Sequence, residues 1–344
     1  MTGWRADLFG SPVRAAVTLA LGALLLWAGV HAFDWAVLHA VFQPDAAACR
    51  AVPHGACWGV IAEKWRPMLF GRYPYEAQWR PAVAALILAA ATLLSAWPRC
   101  WRVGLLPVWI VSLIVVFVLM RGGVPGLAAV PTGLWGGLPL TIGLAVIGLA
   151  LAFPLALLLA LGRRAPWAPV RALAATYIEL VRGVPLISVL FMASYMLPLL
   201  WPSGWRPDVL LRVLMGLALF VAAYLAEIIR GGLQAVPQGQ VDAARAMGFT
   251  RRQVQQHVVL PQALRMVVPA LTNNVVGALK DTSLVAVVGL FELTGALGLA
   301  LGGDPTWRPF YLEGYLFIAA VYWVLCFGLS RYSAWLERRL ARPG

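Results

Sequence analysis

The chain has 344 residues, 61% of them hydrophobic and 12% charged, with a mean hydropathy of +0.80 and a formal charge of +13. A soluble domain carries about 25% charged residues, so this composition excludes a soluble globular protein and points to an all-α polytopic membrane protein. Only Lys64 and Lys280 are lysines; the other basic residues are arginines at the edges of apolar runs, a pattern of membrane topology rather than of nucleic-acid binding.

About 20 apolar residues cross a bilayer as a helix, and eight runs are candidates for such spans. The first, 13–33, is longer than a signal-peptide core and lacks a small-x-small cleavage site, so it reads as a retained span. The segment 34–80 follows, with Arg50, Lys64, Arg66, Arg72 and Arg80 only partly offset by Asp34, Asp45, Glu63 and Glu76. Cys49 and Cys57 lie in it; an oxidising periplasm would allow them to bond, and two free thiols are the equal alternative. Its rings Trp58, Trp65, Phe70, Tyr73, Tyr75 and Trp79 suit the headgroup layer. The segment is therefore expected to lie on the membrane rather than to fold as a domain. Runs 81–97 and 103–120 complete an N-terminal group within residues 1–130.

Runs 135–161, 172–201, 209–229, 264–290 and 311–332 give five more spans within 131–335, and a tail occupies 336–344. Placing Arg5 and Arg14 in the cytoplasm puts there also Arg99, Arg102, Arg163, Arg164, Arg171, Arg230, Arg245, Arg251, Arg252 and Arg265. The tail adds Arg331, Arg338, Arg339 and Arg342. The short opposite loops hold Arg121, Arg206 and Arg308 beside Asp208, Glu292 and Asp304. Segment 34–80 is the exception to this bias, and eight spans return the C-terminus to the cytoplasm.

Between the sixth and seventh runs stands VDAARAMGFTRRQVQQHVVLP, residues 241–261, a small, polar and basic piece between apolar ones. It reads as two short helices. Ala243, Ala244, Ala246 and Met247 favour helix, and Asp242 near the start suits the positive end of the helix dipole. Gly248 stops the first helix by taking positive φ. Thr250 followed by Gln253 forms a capping box for the second, and Pro261 fits the first turn of the next span. With small neighbours, Phe249 becomes a protruding knob for a groove on another protein.

The order Asp242-Ala243-Ala244, three residues, Gly248, nine residues, Val258-Val259-Leu260-Pro261 resembles the EAA loop of ATP-binding cassette importer permeases. Asp242 stands where that family has Glu, and Val258 where it has Ile. YIELVRGVPL (177–186), YLAEIIRGG (224–232), LPQALR (260–265) and LKDTSL (279–284) are similar to amino-acid importer permeases; Val184 replaces a frequent Thr. GACWGVIAEKW and FGRYPYEAQWRP in the 34–80 segment resemble the longer permease subunit of general L-amino acid importers. The resemblance implies a type I permease core of five helices plus three N-terminal ones, in a bacterial inner membrane. It implies that 239–261 docks on an ABC ATPase dimer, that a periplasmic binding protein delivers an L-amino acid, and that a second permease completes a heterodimer. No cofactor is then held by this chain, since ATP binds the partner.

Charged residues inside spans are the remaining signal, because each costs about 2.5–3.5 kcal/mol at the bilayer centre. Glu179 and Arg182, and likewise Glu227 and Arg230, are three apart and can meet on one helix face. Arg230 reads as an end anchor. Arg182, followed by Gly183 and Pro185, reads as a pathway cation where the helix loosens; it suits a substrate carboxylate, with Glu179 or Glu227 for the ammonium. Asn273 and Asn274 either bond a neighbouring helix or line the pathway. Lys280 and Asp281 cannot share a helix face, and with Thr282 and Ser283 they suggest a structural network, with gating second. His31, His39, His54 and His257 lack metal-ligand spacing, and no phosphate-loop motif or catalytic cluster is present, so the chain reads as a non-enzyme. The rival reading is an ion-coupled secondary amino acid transporter, which calls for two matching repeats; the echo between 177–183 and 224–231 is short.

Overall fold

The computed structural model describes residue 3 and residues 8–97, 104–200 and 207–340. Arg5, Arg99, Cys100, Arg102, Trp201, Arg206 and Arg342 lie outside the described residues. In chain order the α-helices are α1 Pro12–Phe33, α2 Ala46–Ala51, α3 Gly59–Phe70, α4 Trp79–Ala96, α5 Leu105–Arg121, α6 Gly137–Gly162 and α7 Ala168–Gly183. They continue with α8 Leu186–Phe191, α9 Val209–Ala235, α10 Gln238–Ala246, α11 Arg251–Gln253, α12 Leu260–Asp281, α13 Leu293–Gly302 and α14 Tyr311–Leu340.

Each expected span falls on a helix, but they are not equivalent. Five segments are long and apolar enough to cross a membrane: Pro12–Leu38, Tyr75–Ser95, Gly137–Gly162, Val209–Ala235 and Arg308–Arg339. Ala168–Gly183 and Leu186–Leu200 make a sixth as a pair bent by 106°. The bend has a local cause. Val184 is extended at φ −108°, ψ 137°, as the residue before a proline prefers, and Pro185 cannot donate to a continuing ladder. Helix α5 has 17 residues, and α12 is diluted by Arg265, Asn273, Asn274, Lys280 and Asp281.

The described chain gathers into two compact units, one of the chain up to Trp65 with Leu301–Phe317, the other of Arg66–Ala300 with Ile318 onward. In the first unit residues 34–65, expected to form no domain, pack with Leu301–Phe317. Cys49 and Cys57 form a disulfide with Cα atoms 5.4 Å apart. Ala56, Cys57 and Val60 are fully enclosed, and the Cys57 N–H donates to the buried Glu313 carboxylate at 2.9 Å. Lys64 bonds Asp304 at 2.7 Å and holds that carboxyl below its usual range, helped by the Thr306 N–H. These partners lie 240 to 256 positions apart in sequence, which no local pattern reveals.

In the second unit α9 is the central helix, packed against α6, α7, α8 and α12. Small residues permit the approach. Ala152, Ala156 and Ala160 of α6 and Ala222 and Ala226 of α9 are fully enclosed at four-residue spacing. At Gly232 a Cβ would stand 2.5 Å from Val267 Cγ1 and 2.8 Å from the Ala263 carbonyl, so only glycine lets α9 and α12 touch there. Arg80 is also buried: Nε donates to the Leu119 carbonyl at 2.6 Å and Nη1 to Ala128 at 2.8 Å. Of the five cations that broke the charge bias, Arg80 is thus an internal tie rather than a surface charge, and Lys64 is neutralised by Asp304.

Candidate translocation and coupling site

The polar segment folds close to its reading. Helix α10 starts at Gln238, three residues before the quoted stretch, and Gly248 sits at φ +83°. The capping box is present, with the Thr250 N–H donating to Gln253 Oε1 at 2.9 Å and the Gln253 N–H to Thr250 Oγ1 at 3.4 Å. One detail differs. Asp242 lies in the second turn of α10, not the first, where it accepts from Gln238 at 3.1 Å and faces Arg245 at 3.6 Å. Pro261 stands in the first turn of α12, as its reading expects. A π-helical turn, Val254–Val259, joins α11 to α12 without interruption; its wider ladder makes room for a ring that would crowd a regular α-turn.

This segment has two faces. Ala244, Val254 and Val259 are buried in the same apolar core as Leu233, Val236 and Ala263, and Leu260 packs against it. Asp242, Ala243, Gly248, Phe249 and Pro261 are exposed. Phe249 is 38% exposed, but Met247 at 75% protrudes more. That residue was read only as a helix former. The segment is anchored on α9 and α12 by one face and offers the other.

A cavity of about 300 Å³ opens among α8, α9 and α12, lined by Leu186, Phe220, Val221, Tyr224, Asn274, Gly277, Ala278 and Asp281. The break at Gly183–Pro185 places Leu186 on its wall. Asn274 faces in, while Asn273 is exposed. Lys280 and Asp281 part company as adjacent helical residues must: Lys280 is exposed and Asp281 reaches the cavity. Of the polar run 280–283, Thr282 bonds the Leu279 carbonyl at 2.7 Å and the Tyr322 hydroxyl that also holds Glu292, while the Asp281 side chain has no hydrogen-bond or ion-pair partner among the described residues. An unpaired carboxylate within an apolar helix is expensive.

Below Tyr224 on α9 lies a cluster of charges. Glu227 and Arg230 meet as their spacing suggests, at 2.5 and 2.9 Å. Glu179 and Arg182 do not pair with each other. Glu179 takes Arg163 at 2.7 Å, and the same guanidinium reaches Glu227 at 3.3 Å. Arg182 keeps a 4.0 Å contact with Glu227 and lies 5.6 Å from the Tyr224 ring centre. Arg163 was read only as a loop charge, and its role as the link between two helices is a tertiary fact with no local signal.

A second buried carboxylate was likewise read as a loop charge. Glu292 is fully enclosed; Oε1 accepts the Thr294 and Gly295 N–H groups at 2.9 Å each, and Oε2 the Tyr322 hydroxyl at 2.8 Å. The Thr141 hydroxyl stands 3.3 Å from Oε2. No group of three or more His, Cys, Asp or Glu side chains arranged to hold a metal occurs among the described residues.

Comparison with known proteins meets this geometry. Residues 152–342 match the family described as binding-protein-dependent transport system inner membrane component. The chain is 41% identical over 343 residues to the inner membrane amino-acid ABC transporter permease protein YhdY of Escherichia coli (strain K12), covering 97% of this chain and 91% of that protein. It is 35% identical over 404 residues to the glutamate/glutamine/aspartate/asparagine transport system permease protein BztC of Rhodobacter capsulatus, covering 98% and 93%. Among solved structures, an amino acid ABC transporter crystallised with histidines superposes with a TM-score of 0.54 at 33% identity, covering 59% of this chain and 92% of that one. Broken helix, helical polar segment and family match agree: the chain belongs to the binding-protein-dependent transport system inner membrane components, as a multi-pass permease subunit of an ATP-driven amino acid importer.

Proposed function

We propose that this permease holds its L-amino acid as a zwitterion between Asp281 and Arg182 while the exposed face of 238–261 takes the thrust of an ABC ATPase dimer. The observation that carries the reading is the cavity whose wall bears the unpartnered Asp281 carboxylate. Asp281 meets the α-ammonium. Arg182 is 40% exposed, touches Glu227 at only 4.0 Å and rests against Tyr224, a wall residue, so it is the cation free to turn to the α-carboxylate. This revises the expectation for the ammonium, because Glu179 and Glu227 are already engaged by Arg163 and Arg230. Asn274 and Tyr224 supply the remaining polar contacts.

In this scheme the 238–261 segment and both termini face the cytoplasm. ATP is bound by the partner subunits, a periplasmic binding protein delivers the substrate, and a second, related permease completes the pore as a heterodimer. Met247 and Phe249 enter the ATPase groove. Membership of the family disfavours the ion-coupled rival. Uptake by the assembled transporter in liposomes tests the site. Asp281→Asn and Arg182→Ala should each raise KM for the amino acid by about tenfold or more, the loss of one charge-assisted bond of roughly 1.5–3 kcal/mol. Unchanged KM in both variants removes this cavity from substrate binding.

A further inference from the structure

Five charged side chains from three helices converge beneath the cavity: Arg163 just past the end of α6, Glu179 and Arg182 on α7, and Glu227 and Arg230 on α9. Three cations face two carboxylates. Glu227 is the hub, with Arg230 on both oxygens and Arg163 at 3.3 Å. Arg163 is forked, one arm on Glu227 of α9 and the other on Glu179 of α7 at 2.7 Å. Planar guanidinium geometry suits such a double grip, which a point-charge ammonium cannot reproduce.

The two helices so joined lead in different directions. Helix α7 ends at the 106° bend, beyond which Leu186 lines the cavity. Helix α9 runs on past Gly232, where it touches α12, and through Val236 into α10. The neighbouring Arg164 donates to the Leu233 carbonyl at 2.8 Å, tying the end of α6 to this same stretch. The cavity's broken helix and the helix that runs on into the polar segment are therefore joined here by the fork of Arg163, beside the 4.0 Å Arg182–Glu227 contact and the Tyr177 hydroxyl that donates to the Leu219 carbonyl at 2.8 Å.

We propose that Arg163 is the positioning residue of an inner latch, a strut that makes movement of the 238–261 segment and movement of the cavity wall one event. The inference rests on the reading of 238–261 as the surface that receives the ATPase. A substrate carboxylate that draws Arg182 away costs Glu227 only its longest contact, so the latch survives loading. Displacement of α9 relative to α7 must instead stretch Arg163's two bonds together. Without the strut α9 moves while the broken helix lags, and hydrolysis proceeds without delivery.

The test is uptake per ATP hydrolysed by the assembled transporter in liposomes, measured with substrate KM. Arg163→Ala should lower uptake per ATP by about fivefold or more, the usual lower bound of coupling between sites. KM should stay at its normal value, since Arg163 does not line the cavity. Arg163→Lys should restore only part of the ratio. A variant with unchanged uptake per ATP overturns the proposal, and so does a change in KM alone, which would make Arg163 a substrate contact. Failure of the substrate reading would show separately, in Asp281→Asn and Arg182→Ala. If Arg163→Ala does not assemble, Glu179→Gln carries the test: its side chain is 65% exposed and tolerant of substitution. It must lower uptake per ATP, and an unchanged ratio there overturns the latch.

Discussion

Gly248 shows how much one backbone angle can carry. Its φ is +83°, and no atom lies within 4 Å of where a Cβ would stand. Space is available, so the cost of a side chain there is conformational, on the order of 1–2 kcal/mol for an L-residue held in the left-handed region. That cost would be met by a shift in the turn that aims Met247 and Phe249, the two exposed apolar side chains flanking it. Gly248→Leu, which adds both strain and bulk, should reduce co-purification with the ATPase and lower transport together. Gly248→Asn, a residue that tolerates positive φ, should retain most of both. Normal co-purification and transport in the leucine variant would mean that this turn does not meet the ATPase.

Elements were legible in the sequence where their causes are local. The capping box at Thr250 and Gln253, the stop at Gly248 and the break at Gly183–Pro185 each follow from residues within a few positions of one another. What escaped was held by distant partners. Glu292 looks like a loop charge until Thr141, 151 positions away, and Tyr322, 30 away, are seen beside it. It then becomes the point where α6, α13 and α14 are tied. Glu292→Gln keeps an oxygen for the two backbone N–H groups, and its amide can face the hydroxyls, which can turn to accept. Glu292→Leu strands those N–H groups at the start of α13 and costs about 1–3 kcal/mol for each one left buried and unpaired. Thermal unfolding of the purified protein in detergent should therefore rank wild type above Gln and Gln well above Leu. Equal melting of all three would show that the knot bears no weight. The same distance rule hid Arg163, whose two carboxylates lie 16 and 64 positions away. It also hid the Cys57–Glu313 bond, with its separation of 256.

At the scale of the molecule the open quantity is how many times the chain crosses the bilayer between the disulfide-braced unit and the 238–261 segment. The span reading expects five crossings there, an odd number, which would put residues 34–65 and the 238–261 segment on opposite sides of the bilayer. Helix α5 is a short crossing: its 17 residues reach about 25 Å at 1.5 Å per residue, against a hydrocarbon core of about 30 Å. Gly104 and Gly122 bound it at both ends, and neither extends the helix. Local thinning of the bilayer and snorkelling of Arg121 offset a mismatch of this size at a fraction of a kcal/mol per Å. Helix α5 is also held on one face by α4, with Val116 and Met120 buried beside Ala84 and Leu88. A full crossing is therefore expected. Impermeant maleimide decides it, with Cys100 and Cys326 replaced by Ser and Cys49–Cys57 left bonded. Phe249→Cys should label only in inside-out vesicles, and Ala62→Cys, an exposed position on α3, only in right-side-out ones. Labelling of both from the same side would make the number of crossings even. Helix α5 would then be the one to remove, and the outward assignment of the disulfide-braced unit would fall with it.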